Sequence, residues 1–174
     1  MSQLPSTYQL ISSNVLGSTA ASVTFSAIPS TYTDLVLRMS MRGSVSADSR
    51  DVQITLNAAT TNYSFTALEG AGSAGAFSSG GTTETYLFAG YSSAALNTAN
   101  TFASSEIYIP SYTASQNKPI SSFTVKEDNT TTGAIEAVAN LWRNTAAITS
   151  IAIQLNTGNF VSASSFYLYG ISKS

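Results

Sequence analysis

The residues with the most obvious chemical potential are five acids, Glu84, Glu106, Glu127, Asp128 and Glu136. Two carboxyl groups at a suitable separation make a glycosidase: one protonates the leaving oxygen, and the other works on the opposite face of the sugar ring. No local spacing pairs these five. A glutamate on a strand ordinarily faces solvent beside an Arg or Lys, and Glu106 and Glu136 are expected there. Arg38 and Arg42 lie on one face of a predicted strand, within reach of Glu106 or Glu136 on adjacent strands, so cross-strand ion pairs are the preferred reading. Asp48 and Asp51 straddle a short turn, but calcium takes roughly six to eight oxygens, and a solvated turn explains two carboxylates better.

Other patterns weaken in the same way. Gly70, Gly72 and Gly75 satisfy G-x-G-x-x-G after a predicted strand, yet Ser and Gly and then another strand follow, with no helix N-terminus to hold a pyrophosphate. Asn62-Tyr63-Ser64 and Asn129-Thr130-Thr131 are formal glycosylation sequons in a chain crowded with Ser and Thr, and both are expected to be unmodified. Trp142 with Tyr91, Tyr108 and Tyr112 would suit a platform for a sugar ring, but a place in the core or in an interface is preferred for them. With no His and no Cys, the chain has no imidazole base, no thiolate, no disulfide and no ordinary zinc site. No catalytic, cofactor-binding or metal-ligating residue is expected, and no cofactor.

The elements that carry these residues are read from composition and periodicity. The chain has 174 residues, of which 43% are hydrophobic and only 9% charged. That is enough apolar material for one sizeable core, so a single domain spanning 1–174 is expected. The charged fraction is well below the roughly 25% of an average soluble protein, while Ser and Thr supply roughly 30% of the chain, so the surface is polar but nearly uncharged. Seven Lys and Arg balanced by nine acids form no basic stripe, which argues against nucleic acid as a partner. No apolar run is long enough to span a bilayer, and MSQLPSTYQL has neither the basic nor the apolar region of a signal peptide, so synthesis in a cytoplasm without membrane association is expected.

The hydrophobic period is two. LVLRMSMR, residues 35–42, sets Leu35, Leu37, Met39 and Met41 against Arg38, Ser40 and Arg42, and Ile107 and Ile109 oppose Tyr108 in a run that Pro110 should end. Further strands are expected at Tyr8–Ser13, Ala21–Ile28, Val52–Leu56, Tyr63–Leu68, Thr85–Ala89, Ser122–Lys126, Ala134–Trp142, Ile148–Leu155 and the C-terminal stretch from Ser165. Roughly ten short strands separated by Gly, Pro, Asn and Asp turns predict an all-β antiparallel sandwich. Two passages are too long for hairpin turns: GAGSAGAFSSGGTT, residues 70–83, read as a Gly/Ser-rich loop or arm, and residues 92–101. The final strand has apolar residues on both faces; Phe166 and Leu168 should enter the core, leaving Tyr167 and Tyr169 to be covered by another layer or by a second copy.

Four passages carry a resemblance: Ile-Pro-x-x-Tyr-x-Asp-Leu at 28–35, Ile-x-Ile-Pro-x-Tyr at 107–112, Gly-Asn-Phe at 158–160 and Leu-Tyr-Gly-Ile at 168–171. Together with the opening strand pair they resemble a group of small virion proteins of tailed bacteriophages, over nearly the whole chain. The resemblance implies a jelly-roll-like β-sandwich used for assembly, usually as a trimer, with no catalytic residues. Such modules serve both as capsid decoration or cement proteins and as parts of tail fibres. The chain shows no attachment region, collagen-like repeat or coiled-coil heptad, which favours a decoration protein on the outer surface of the capsid, bound to the major capsid protein or other virion proteins. The alternative is a tail-fibre or baseplate module that recognises host-surface glycan. Few charges and apolar residues on both faces of some strands suit repeated subunit contacts independently of the resemblance.

Overall fold

A computed structural model describes residues 7–72, 75–127 and 133–172, with only the backbone of Glu127. Twelve strands are present: β1 (Tyr8–Val15), β2 (Ser22–Phe25), β3 (Asp34–Met41), β4 (Ser49–Leu56), β5 (Tyr63–Ala71), β6 (Ala76–Glu84), β7 (Leu87–Ser93), β8 (Ala103–Ile109), β9 (Lys118–Glu127), β10 (Gly133–Trp142), β11 (Ile151–Leu155) and β12 (Ser165–Ile171). Among the described residues there is no α-helix. The strands form an eight-stranded sheet, β1-β12-β3-β8-β9-β10-β5-β6, and a four-stranded sheet, β2-β11-β4-β7. All neighbours are antiparallel.

The sandwich follows from the alternation. Leu35, Leu37, Met39 and Met41 all point into the space between the sheets and are buried, as are Val52, Ile54 and Leu56 of β4 and Ile151, Ile153 and Leu155 of β11. Phe166 and Leu168 join the same core, as the C-terminal pattern predicts. Without β5, β6, β9 and β10, the large sheet runs β1-β12-β3-β8 opposite β2-β11-β4-β7, which is the strand order of an eight-stranded jelly roll. The β5–β6 hairpin, inserted between β4 and β7, and the β9–β10 hairpin, inserted between β8 and β11, both add to the large sheet beyond β8.

The quoted sequence passages turn out to be fold determinants. Tyr112 donates its hydroxyl to the Pro29 carbonyl, and the Asp34 carboxylate accepts from the Tyr108 hydroxyl (2.8 Å) and the Ser111 N–H (2.7 Å). The Tyr32 ring lies so close over Gly170 that a Cβ there would fall 2.3 Å from Cγ of the ring. Three of the four passages thereby latch one end of the sandwich. Phe160, from the fourth, bridges Ala20 and Gly43 elsewhere.

Three expectations are corrected. Residues 76–84 are not a loop or arm but strand β6, paired with β5 through Phe77–Glu69, Ser79–Ala67 and their neighbours. Small residues on a strand exposed on both faces show no hydrophobic alternation, so the period is invisible. Arg50 and Asp51 lie in β4 rather than in a turn with Asp48. The passage 92–101 begins with the end of β7, and its remainder is tied down by Arg42, whose guanidinium donates to the carbonyls of Asn97 (2.8 Å), Thr98 (2.9 Å) and Thr101 (3.0 Å).

Candidate functional site

Glu106 and Glu136 lie on opposite faces of the large sheet. Arg38 and Glu106 are directly opposite on β3 and β8 and form the expected ion pair at 2.8 Å. Both side chains are about half exposed, at 55% and 50%, so the pair adds at most about 1 kcal/mol. Glu136 does the reverse of what was expected. It points between the sheets, is only 3% exposed, and meets neither Arg38 nor Arg42. Its strand neighbours are Glu69 on β5 and Thr124 on β9.

Burial pushes the Glu136 carboxyl up to about 8, helped by the negative charges of Glu69 and Asp51 and opposed by the Tyr91 N–H and by Lys126. Burial also raises Glu69 and Asp51, and it lifts the Tyr91 phenol to about 12 with the same three acids contributing. Oε2 of Glu136 has no hydrogen-bond partner among the described residues. A proton held at neutral pH is what a general acid needs. Neither Glu136 nor Glu69, however, is among the residues that line the groove over Ala137 and Ala139 or the one beside Gly70 and Lys126. Among the described residues no group of three or more acids is placed to hold a metal ion.

This acid group marks the junction where the hairpin extensions meet β7. Gly90, at φ 94°, lets β7 bend toward the large sheet; a Cβ there would lie 2.5 Å from Oγ1 of Thr124. Beyond the bend, side chains of the large sheet satisfy the β7 backbone. Asn140 brackets Phe88, accepting from its N–H (3.1 Å) and donating to its carbonyl (2.9 Å), while Ser122 (2.8 Å) and Thr124 (2.9 Å) both donate to the Ala89 carbonyl.

The aromatic residues do not assemble a platform. Trp142 is buried and stacked on Tyr63 at 6.1 Å, Tyr112 is buried in the core, Tyr91 packs edge-on against Phe88, and Tyr108 lies alone of the four on the outer face. Gly70 lies in β5 and Gly72 just after it, and among the described residues the next element is strand β6 from Ala76, not a helix. Asn62 occupies the turn before β5, and the second sequon, with Asp128, lies outside the described residues.

What the geometry does bring together is an uncovered surface. The side of the eight-stranded sheet facing away from the core has no layer over it among the described residues. Cross-strand register lines up Tyr167, Arg38, Glu106, Phe123, Ala137 and Leu68 in one row. Tyr169, Val36 and Tyr108 belong to the next row, in which Val36 itself is buried beneath its neighbours, and Val125 and Ile135 to another. Tyr108, Val125, Ile135, Phe123 and Leu68 are 37%, 40%, 45%, 49% and 58% exposed. Ala137, Ala139 and Ser121 form the floor of a groove of about 580 Å³ walled by Phe123, Leu68 and Tyr108. Sequence reasoning found Tyr167 and Tyr169 but not Leu68, Phe123, Val125 or Ile135, whose companionship depends on strand order. Comparison with protein-family models and with curated proteins returned no match.

Proposed function

We propose that this chain is a non-enzymatic structural protein of a tailed-phage virion, a decoration or cement protein that assembles with itself and binds the head lattice. The observation that carries this reading is the apolar cluster on the outer face of the large sheet, Leu68, Tyr108, Phe123, Val125 and Ile135, beside which the described residues form one ion pair, Arg38–Glu106. Monomeric proteins rarely leave so many large apolar side chains together in water, and interface cores are poor in charge and rich in aromatics. The resemblance of four sequence passages to small virion proteins supplies the setting, and a trimer is the assembly it implies. The major capsid protein or another virion protein is the second partner.

Phe123→Asp combined with Ile135→Asp tests the role of the face. Both side chains are exposed, so the fold is expected to survive while self-association or head binding drops at least tenfold. Unchanged association of a folded double variant would remove the outer face from the reading.

One observation favours a second reading. The groove over Ala137 and Ala139, with Phe123, Tyr108 and Glu106 at its sides, offers ring faces and a carboxylate to a sugar, as a host-glycan receptor module on a tail would require.

A further inference from the structure

A sheet edge carries a row of main-chain N–H and C=O groups that will pair with any suitable strand, and proteins ordinarily blunt such edges. This jelly roll blunts two of its four. β2 has only four residues, and β7 is bent at Gly90 with Phe88 and Ala89 bonded by Asn140, Ser122 and Thr124. The two edges of the large sheet are different. Among the described residues β1 pairs only with β12, and β6 only with β5. β1 has eight residues and β6 nine, longer than the average strand of about five or six, and both are exposed along nearly their whole length. Neither contains Lys, Arg or Pro; the one charge is Glu84 at the end of β6.

The ladders show which groups are left over. The Ala71 N–H bonds the Gly75 carbonyl (3.5 Å), so Phe77 and Ser79 turn their main chain toward β5, and Ala76, Ser78 and Gly80 turn theirs outward. On β1, bonds from the Ser172 N–H to Thr7 (3.1 Å) and from the Leu16 N–H to Ser164 (2.9 Å) fix the phase on either side of the irregularity at Ile11. Leu10, Ser13 and Val15 then face outward. The topology adds a constraint. Eight strands that alternate strictly in direction give the sheet edges of opposite direction. β6 of one copy can therefore meet β1 of a second copy, held in the same orientation, as an antiparallel pair. Lengths match, and neither edge brings a repelling charge.

We propose that β6 of one copy pairs with β1 of the next, so that copies close head to tail into a ring that extends the large sheet through every subunit. Head-to-tail contacts generate rings when the rotation closes, and one kind of contact then satisfies both open edges. The proposal rests on the reading that the chain assembles with itself, and it names the strands that do so.

Proline removes one outward N–H without touching the inward ladder, so Ser13→Pro disables the β1 edge and Ser78→Pro the β6 edge. Light scattering on the native chain should give three or more multiples of 18.1 kDa. Each proline variant alone should be a monomer, and an equimolar mixture should form a heterodimer, because each variant keeps one good edge. Native-like circular dichroism and the fluorescence of buried Trp142 verify the fold. Ser13→Lys and Ser78→Lys, which keep the N–H but place a charge at the edge, repeat the test if proline unfolds a strand. A native monomer or dimer overturns the ring. So does a folded single variant that retains the native mass, or one that dimerises alone through its remaining edge. If the native chain is oligomeric but indifferent to these substitutions, the edge pairing falls and the assembly reading stands.

Discussion

Glu136 sits where an ionised carboxylate is least stable, between two sheets and opposite Glu69. Its carboxyl is raised from 4.5 to about 8, so the folded chain binds a proton that the unfolded chain releases over that interval. Stability from this proton is complete below about pH 4.5 and is lost as pH rises through 8; the raised Asp51 and Glu69 act in the same direction. Glu136→Gln should therefore match the native protein near pH 4.5 and exceed it by a few kcal/mol at pH 8.5, in urea titrations followed by Trp142 fluorescence. A native protein no less stable at pH 8.5 than at pH 5 would contradict this. Arg42 is the converse case, a buried cation whose terminal nitrogens donate to three loop carbonyls. Arg42→Met should cost about 2–4 kcal/mol and expose residues 94–101 to proteolysis. The Arg38–Glu106 pair was legible because both residues stand on outward positions of strong alternating patterns. Glu136 was not, because alternation says which residues share a face and not which face another sheet will cover.

The strands declare themselves wherever one face is buried and the other wet. LVLRMSMR became β3 nearly residue for residue, and Pro110 stops β8 at Ile109. β6 escaped because Phe77, Ser78, Ser79, Gly80 and Gly81 show no alternation of buried and exposed faces. The bend of β7 escaped too; its signals are a glycine and three polar residues on β9 and β10 that meet only after the sandwich forms. Asn140→Ala strands the N–H and carbonyl of Phe88 and should lower stability by about 2 kcal/mol, with faster amide exchange in β7 than in β3. Gly170→Ala pushes a methyl into the Tyr32 ring and should cost about 1–3 kcal/mol, read as a lowered midpoint in the same titration.

At the scale of the molecule, the class of fold was legible and the order of strands was not. Local alternation fixes the faces of Phe166 and Tyr167, but the neighbours that make Leu68, Phe123 and Ile135 one surface come from residues far apart in the chain. The C-terminal strand with two apolar faces divides as expected on its inner side: Phe166 and Leu168 fill the core. Tyr167 and Tyr169 stay half-buried on the outer face, with Tyr169 edge-on to Tyr8 at 6.5 Å. If copies cover that face, Tyr167→Ser with Tyr169→Ser should lower the oligomer mass on a sizing column with light scattering while the melting curve stays cooperative; an unchanged mass would exclude these two from the contact. The proposed role on a virion is tested most directly by mixing the purified chain with tailed-phage heads freed of their tails. Sedimentation of the chain with the heads, and greater resistance of the coated heads to heating, is the predicted result. A chain that leaves heads untouched but sediments with host cells would contradict the decoration reading and make this jelly roll a receptor-binding module.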